Sequence, residues 1–425
     1  MKLRKLMVAG ATAGLITGLA ACGGGDSGGI ASVSGAKYIS GPITAFGSVY
    51  VNGVRYNTDN ATVYVENNMA SESELRVGMM VTVRESSNGS AAEIHYNDDL
   101  EGFVISNDIA TDGTLNVMGQ TVVVDSNTVF ESHVEGVTTA DQIAVGNIVE
   151  VTGSSAGTGK IAATRLEVKA VDLTAYLVDH PSGVEVKGMV ASHDASSETF
   201  SIGGLEISYA GAVLDDLPNG ISDGIYVEVT SVEDLNSANQ LVAVKVELKN
   251  GGIKGHHGEK DDEVEVAGEV SEVSDSSVTV NGYTFLLDAN TEYDDGVLAD
   301  LVIGVMVKVE GHFNSNGELV AEEVEFKDHN PELEREMKGS VVSIDRTDIN
   351  AGIIVIVVDG VAADITILIN NDTIMHDSST HHEMSFNLSM LAVDDLVEVH
   401  LVDNGDGTYT VRKLEREMAA GSAPM

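Results

Sequence analysis

One pattern, written five times along the chain, limits its fold more than any other feature. Four landmarks recur in the same order. The first is a glycine opening a short apolar strand, at Gly41, Gly102, Gly188, Gly268 and Gly339. The second is a strand ending in a tight turn: Val51-Asn52-Gly53, Val117-Met118-Gly119, Ile202-Gly203-Gly204, Val280-Asn281-Gly282 and Val358-Asp359-Gly360. The third has the form V-G-x-x-V-x-V. Its turn residue is Gly78, Gly146, Gly224 and Gly304 in the first four copies and Asp394 in the last, at spacings of 68 to 90 residues. The fourth is a closing strand such as AATRLEVK (162–169) or VAEEVEFK (320–327).

The segments between these landmarks alternate. Val305, Val307 and Val309 share one face of a strand and leave Met306 and Lys308 on the other. Asn-Gly and Asp-Gly suit turns in which both central residues take positive φ, so Asn52-Gly53, Asn281-Gly282 and Asp359-Gly360 predict hairpins. Each copy therefore predicts five strands, with a looped or weakly helical stretch between the third and fourth, as in 69–75 and 295–301. The fold class is all-β: tandem small five-stranded OB-like barrels, in which closure removes exposed edges. A small β-sandwich is the alternative. About 400 residues exceed one core. The repeats span 38–97, 98–170, 180–250, 263–328 and 334–417, with a His/acidic linker at 251–262 and a tail at 418–425. We read them as units that fold separately and string out from one end of the chain.

The order G-x-V, V-N-G, T/N-x-V/F, V-G-x-x-V-x-V and A-x-x-V-E resembles the bacterial family called domain of unknown function 5666. The resemblance covers residues 38–417. Copies three and five depart from it, because Asp223 replaces an apolar residue and Asp394 replaces the glycine. It implies a fold and a tandem, lipoprotein-like organisation, and no activity.

The N-terminus carries a second signal. Met1-Lys2-Leu3-Arg4-Lys5 is basic, and a run of apolar and small residues follows to Ala21, too short and glycine-rich for a comfortable membrane span. Leu19-Ala20-Ala21-Cys22 resembles the lipobox of bacterial lipoproteins. That resemblance implies a signal peptide over 1–21, cleavage before Cys22 and lipidation of its thiol. Each buried acyl CH₂ contributes about 0.8 kcal/mol, so two or three chains anchor firmly. Residues 22–37, with Gly23-Gly24-Gly25 and Gly28-Gly29, read as a flexible tether. Gly23, rather than Asp, after the cysteine favours the outer membrane, facing the periplasm or the exterior. Cys22 is the only cysteine, so no intramolecular disulfide or thiol catalysis is available.

Charge excludes some partners. The chain has 67 acidic residues against 23 basic ones, and repels nucleic acid and anionic headgroups. Within repeat four, residues 264–327 hold fourteen acidic residues against Lys308 and Lys327. There is neither G-x-S-x-G nor H-E-x-x-H, and the reading is a non-enzyme. Divalent metal ions are the sharpest chemical alternative. His256, His257, Glu259, Asp261 and Asp262 crowd the linker, and His376, His381, His382 and Glu383 form a second group; imidazole with carboxylate suits zinc, copper or nickel. Asp403-Asn404-Gly405-Asp406-Gly407 lacks the bidentate Glu of a calcium loop and reads as a hairpin turn. The expected function is a lipid-anchored binding or scaffold protein whose partner is an envelope protein or polysaccharide. Metal binding is second, and a hydrolase with scattered residues third.

Overall fold

Repeat 2 shows how the alternating segments close. Its opening strand Leu100–Asn107 pairs antiparallel with Thr114–Val117, which turns through Met118-Gly119 into Gln120–Val123. That third strand runs parallel to the closing strand Lys160–Ala170. The closing strand pairs antiparallel with the fourth, Ile148–Ser155, and the fourth with the first. The order 1-2-3-5-4-1 is a closed, OB-like barrel. Repeat 4 closes the same ring with Glu263–Ser274, Ser277–Val280, Tyr283–Leu286, Leu319–Phe326 and Met306–Phe313. Repeat 5 does so with Glu334–Arg346, Gly352–Val357, Ile365–Ile369, Tyr409–Arg416 and Leu396–Asp403. In repeat 1 the seam between third and closing strands is the bond from Ala91 N to Asn57 O, at 3.0 Å. In repeat 3 the opening strand is split into Val184–Met189 and Ala191–Asp194, and the closing strand into Gln240–Val242 and Lys245–Leu248.

This computed structural model describes residues 36–417, apart from 67, 87, 158, 250–261, 275, 315–317, 327–333, 359–363, 380–382 and 404–407. The expected signal peptide (1–21), Cys22 and nearly all of the expected tether lie outside the described residues. Among the described residues, no helix is long and apolar enough to cross a membrane.

The V-G turn is the best conserved element of the structure. Gly78, Gly146, Gly224 and Gly304 have φ of 85°, 90°, 85° and 88°. Each amide donates to a carbonyl of its opening strand: Ile43, Val104, Val190 and Val270. Asp394 has φ 75° and its amide donates to Val341 O at 2.8 Å, so the acidic residue occupies the glycine's place at a backbone cost that glycine avoids. The hairpins also follow expectation. Asn52-Gly53 and Asn281-Gly282 have positive φ throughout. Asp359-Gly360 and 404–407 lie outside the described residues, although the strands flanking both are paired antiparallel.

The sequence predicts five strands per copy, and the structure adds a sixth. Thr62–Val65, Val129–Ser132, Val213–Asp215, Glu292–Asp294 and Ile374–Asp377 each run parallel to the far half of the closing strand. In repeats 2, 4 and 5 a threonine pins the approach to this strand: the Thr128, Thr291 and Thr373 hydroxyls donate to Ala163, Ala321 and Val411 carbonyls at 2.8, 3.1 and 2.9 Å. A 3₁₀ turn precedes the V-G turn in repeats 1, 2, 4 and 5.

The expectation of an extended string of separate units is corrected. All five repeats fall in one unit, Gly35–Met425. The opening strand of repeat 1, Lys37–Phe46, pairs parallel with that of repeat 4, from Lys37↔Glu263 to Ser40↔Val266. The opening strands of repeats 2 and 3 pair antiparallel at Leu100↔Val186 and Glu101↔Glu185. Repeats 2 and 3 share one buried apolar cluster, from Leu100 to Val246. Val129 of repeat 2 enters the core of repeat 1, and Tyr50 of repeat 1 enters that of repeat 5. The reason is the first strand itself. It is longer than its hairpin partner, so half of one edge stays open inside each barrel, and in repeats 1 to 4 another repeat covers that edge.

Candidate functional site

Repeats 1, 2 and 3 meet around a cavity of about 630 Å³ lined by more carboxylates than any other kind of side chain. Strand geometry puts the acids there. In Val184-Glu185-Val186-Lys187, the valines point into the barrel of repeat 3 and are fully buried, which turns Glu185 and Lys187 outward. On an isolated barrel those two side chains would be solvated. Here repeats 1 and 2 cover them.

Lys187 is the centre of the arrangement. Its Nζ lies 2.5 Å from Asp98 Oδ1, 2.5 Å from Glu185 Oε1, 3.5 Å from Glu66 Oε2 and 3.8 Å from Glu228 Oε2. Burial works against the ammonium charge, and these carboxylates overcome it, so Lys187 stays protonated. Burial, and then the Asp98 charge, push Glu185 upward. Burial and then Asp98 also raise Glu101, to about 8, although a hydrogen bond with Tyr176 opposes the shift. Glu101 and Glu185 face each other across the strand pair, where two like charges are unfavourable.

A second network lines the opposite wall. Arg165 bonds Glu131 and lies 2.8 Å from Glu167. Lys169 reaches Glu150 at 2.9 Å and Glu167 at 3.1 Å, and the Tyr96 hydroxyl donates to Glu150 at 2.7 Å. Burial would raise Glu167, but His133, Arg165 and Lys169 hold it well below the usual carboxylate range. Tyr176 and His180, on the turn between repeats 2 and 3, stack at 4.2 Å. Acids outnumber bases along the wall, so the cavity carries a negative potential, concentrated by its low-dielectric surroundings.

Of the sequence-predicted metal residues, the described ones, Asp262, His376 and Glu383, do not line this cavity. His256, His257, Glu259, Asp261, His381 and His382 lie outside the described residues. Asp262 is buried; its Oδ1 accepts from Ala36 N at 2.7 Å and its carbonyl from Phe313 N at 3.1 Å, which ties the two opening strands together. Glu383 is exposed, and His376 lies 3.6 Å from Glu415. Among the described residues, two other groups bring three ligand side chains within 4.8 Å: Glu66, Asp98 and Glu185, and Glu336, Glu398 and His400. A lysine ammonium accompanies each, Lys187 in the first and Lys338, bonded to Glu398, in the second.

Lys187 and its carboxylates escape sequence reasoning because they come from three repeats. In so acidic a chain, no carboxylate pair stands out. The one local signal is Glu-x-Lys on a strand that also carries an outward edge, and it does not say what covers that edge.

No curated protein matches the chain. Among solved structures, one described as "drosophila Unr CSD456" is similar at 13% identity over 54% of this chain and 95% of that one, and its TM-score of 0.13 gives it no weight. The profile of Domain of unknown function (DUF5666) matches residues 40–94, 101–167, 267–325 and 338–415. Repeat 3 falls outside those matches, yet its Gly224 amide still donates to Val190 O as the turn requires. Four tandem matches over more than half of the chain make it a member of the DUF5666 family.

Proposed function

We propose that this chain is a non-enzymatic binding or scaffold protein of the cell envelope, anchored by lipid at Cys22 in the outer membrane. The observation that carries this reading is the self-pairing of the cavity's charged groups. Lys187 has four carboxylates within 3.8 Å, drawn from repeats 1, 2 and 3, and Lys169 has two within 3.1 Å in its own repeat, so the first cation holds repeats together and the second is paired within repeat 2. Binding then falls to the outer faces of the joined repeats. Their acid excess favours a partner with positive charge, on an envelope protein or polysaccharide.

Two measurements test it. Replacing Cys22 (Cys22→Ser) should move the protein from the membrane fraction to the soluble fraction, and unchanged membrane association rejects the anchor. The mature chain, used as bait on an envelope extract at 0.05 M salt, should retain a basic partner that 0.5 M salt releases. Retention that ignores salt, or no retained partner, rejects the binding role as stated.

A further inference from the structure

The five V-G turns are equivalent in backbone, but their surroundings differ. In repeat 1 the turn is covered. Val77 is 4% exposed, and a Cβ placed on Gly78 would meet Thr164 O, Arg165 Cβ and Val129 Cβ of repeat 2 within 3.2 Å. The Thr164 hydroxyl donates to Gly78 O at 2.6 Å, and Arg165 Nη1 to Val77 O at 3.4 Å. The turn of one repeat thus seats on a face made by the sixth and closing strands of another. At Gly146, Gly224 and Gly304 a Cβ would meet nothing within 4 Å.

The turn of repeat 4 is the most apolar of the uncovered ones. Ile303, equivalent to Val77, is 64% exposed, and Val297, Leu298 and Val302 are exposed beside it. Four exposed branched residues within seven positions are a patch rather than scatter. In repeat 5 the equivalent turn carries the Asp394 charge at its tip.

An apolar version of the matching face is uncovered in repeat 3, whereas the equivalent pair in repeat 4, Glu292 and Glu323, is acidic. Register fixes the equivalence. Val129 pairs with Arg165 in repeat 2, Val213 with Lys245 in repeat 3, and Ile374 with Lys413 in repeat 5. The repeat 2 face is filled by repeat 1. In repeat 5, Lys413 Nζ donates to Thr128 O of repeat 2 at 3.2 Å, and Ile374 packs against the core of repeat 1. In repeat 3, Val213 is 62% exposed, and Leu214 and Val244 are exposed with it.

From this we infer that the chain associates with further copies of itself, the V-G turn of repeat 4 in one copy seating on the Val213–Val244 face of repeat 3 in the next, as repeat 1 seats on repeat 2. The two halves are different surfaces, so the contact is head-to-tail. It either closes into a ring or propagates. The acid excess opposes association, so added salt should strengthen it.

Sedimentation velocity on the full chain at 0.05 and 0.5 M salt is the test. Expected are concentration-dependent species above the monomer, increasing with salt. Leu298→Asp with Ile303→Asp destroys the turn, and Val213→Asp with Val244→Asp destroys the face; each double variant alone should stop at a monomer. Mixed together, they should form a one-to-one dimer and nothing larger, because each keeps one intact half. All four positions are exposed, and an unchanged circular dichroism spectrum shows that the fold is kept. A parent monomeric at every concentration and salt, association that survives either double variant, or a mixture that does not dimerise overturns the inference.

Discussion

The opening strands make two joints between repeats, and they are built on different principles. At the joint of repeats 1 and 4 the strands run parallel, with two buried acids: Asp262, which accepts from Ala36 N, and Glu265, opposite Ile39. Glu265 accepts from Asn52 Nδ2 at 3.0 Å and lies 3.7 Å from Lys37. The apolar clusters of the two repeats stay largely apart. At the joint of repeats 2 and 3 the strands run antiparallel, Glu101 faces Glu185, and Lys187 is enclosed by four carboxylates. There the apolar clusters merge into one. Burying several charges is unfavourable by several kcal/mol per ion before pairing. The merged core supplies roughly 25 cal/mol per Å² of apolar surface covered, which offsets that cost. A joint with a continuous apolar layer can carry a buried ionic network, whereas one without it settles for acids that are hydrogen-bonded one at a time.

Three experiments probe that contrast. Lys187→Met should have the largest effect. It leaves Asp98, Glu185, Glu66 and Glu228 without their cation, and loss of one partner from a buried network costs about 3–5 kcal/mol. Lys37→Met, at the other joint and partly exposed, should cost about 0.5 kcal/mol or less. Urea unfolding of both variants checks this, and equal losses would mean that the joints are alike.

Next is the pH response. The unfolded chain releases the Glu101 proton near 4.5, whereas the folded chain holds it up to about 8. Between those values the folded state binds the extra proton, so its advantage is present at low pH and declines as pH rises. The parent should lose about 1–3 kcal/mol from this group between pH 5 and 8. Glu101→Gln should flatten that slope in urea titrations at several pH values. Glu185 shifts in the same direction and keeps part of the slope. The lowered acids Glu167, Glu415 and Asp377 titrate below this window and do not disturb it. An unchanged slope in the Gln variant would place the buried proton elsewhere.

The third experiment, intermediate between Lys187→Met and Lys37→Met, returns to the joint of repeats 1 and 4. Asn52→Gly keeps a residue at ease with φ 51° and removes the bond to Glu265, so urea unfolding should show a loss of about 1–2 kcal/mol. A loss as large as that of Lys187→Met would erase the difference drawn above.

The barrels themselves were legible in the sequence. Period-two alternation and Asn-Gly pairs are local signals, and they locate strands and hairpins wherever a barrel has one buried face. Aligning Asp394 with four glycines looked weak on residue type, yet its φ of 75° shows that the backbone position, not the side chain, is what repeats. The sixth strand was missed because it is only three or four residues long and has no alternation of its own. The joints were not legible at all. Glu185 and Lys187 read as solvent-facing because they alternate with core valines, and alternation identifies the face that points out of one barrel without saying that another barrel lies over it. The cavity is therefore a product of which edges meet, a long-range choice between strands of similar composition.

The parallel pairing of repeats 1 and 4 also sets an order in time. The hydrogen bond from Ala36 N to the Asp262 carboxylate joins residues 226 positions apart. A ribosome adding about 5–20 residues each second takes roughly 10–45 s to cover that distance. Through that interval the Lys37–Phe46 strand has emerged and its intended neighbour does not yet exist. A nascent chain built this way spends its youth with a sticky margin, and any factor that shields that margin during biosynthesis would raise the yield of folded protein.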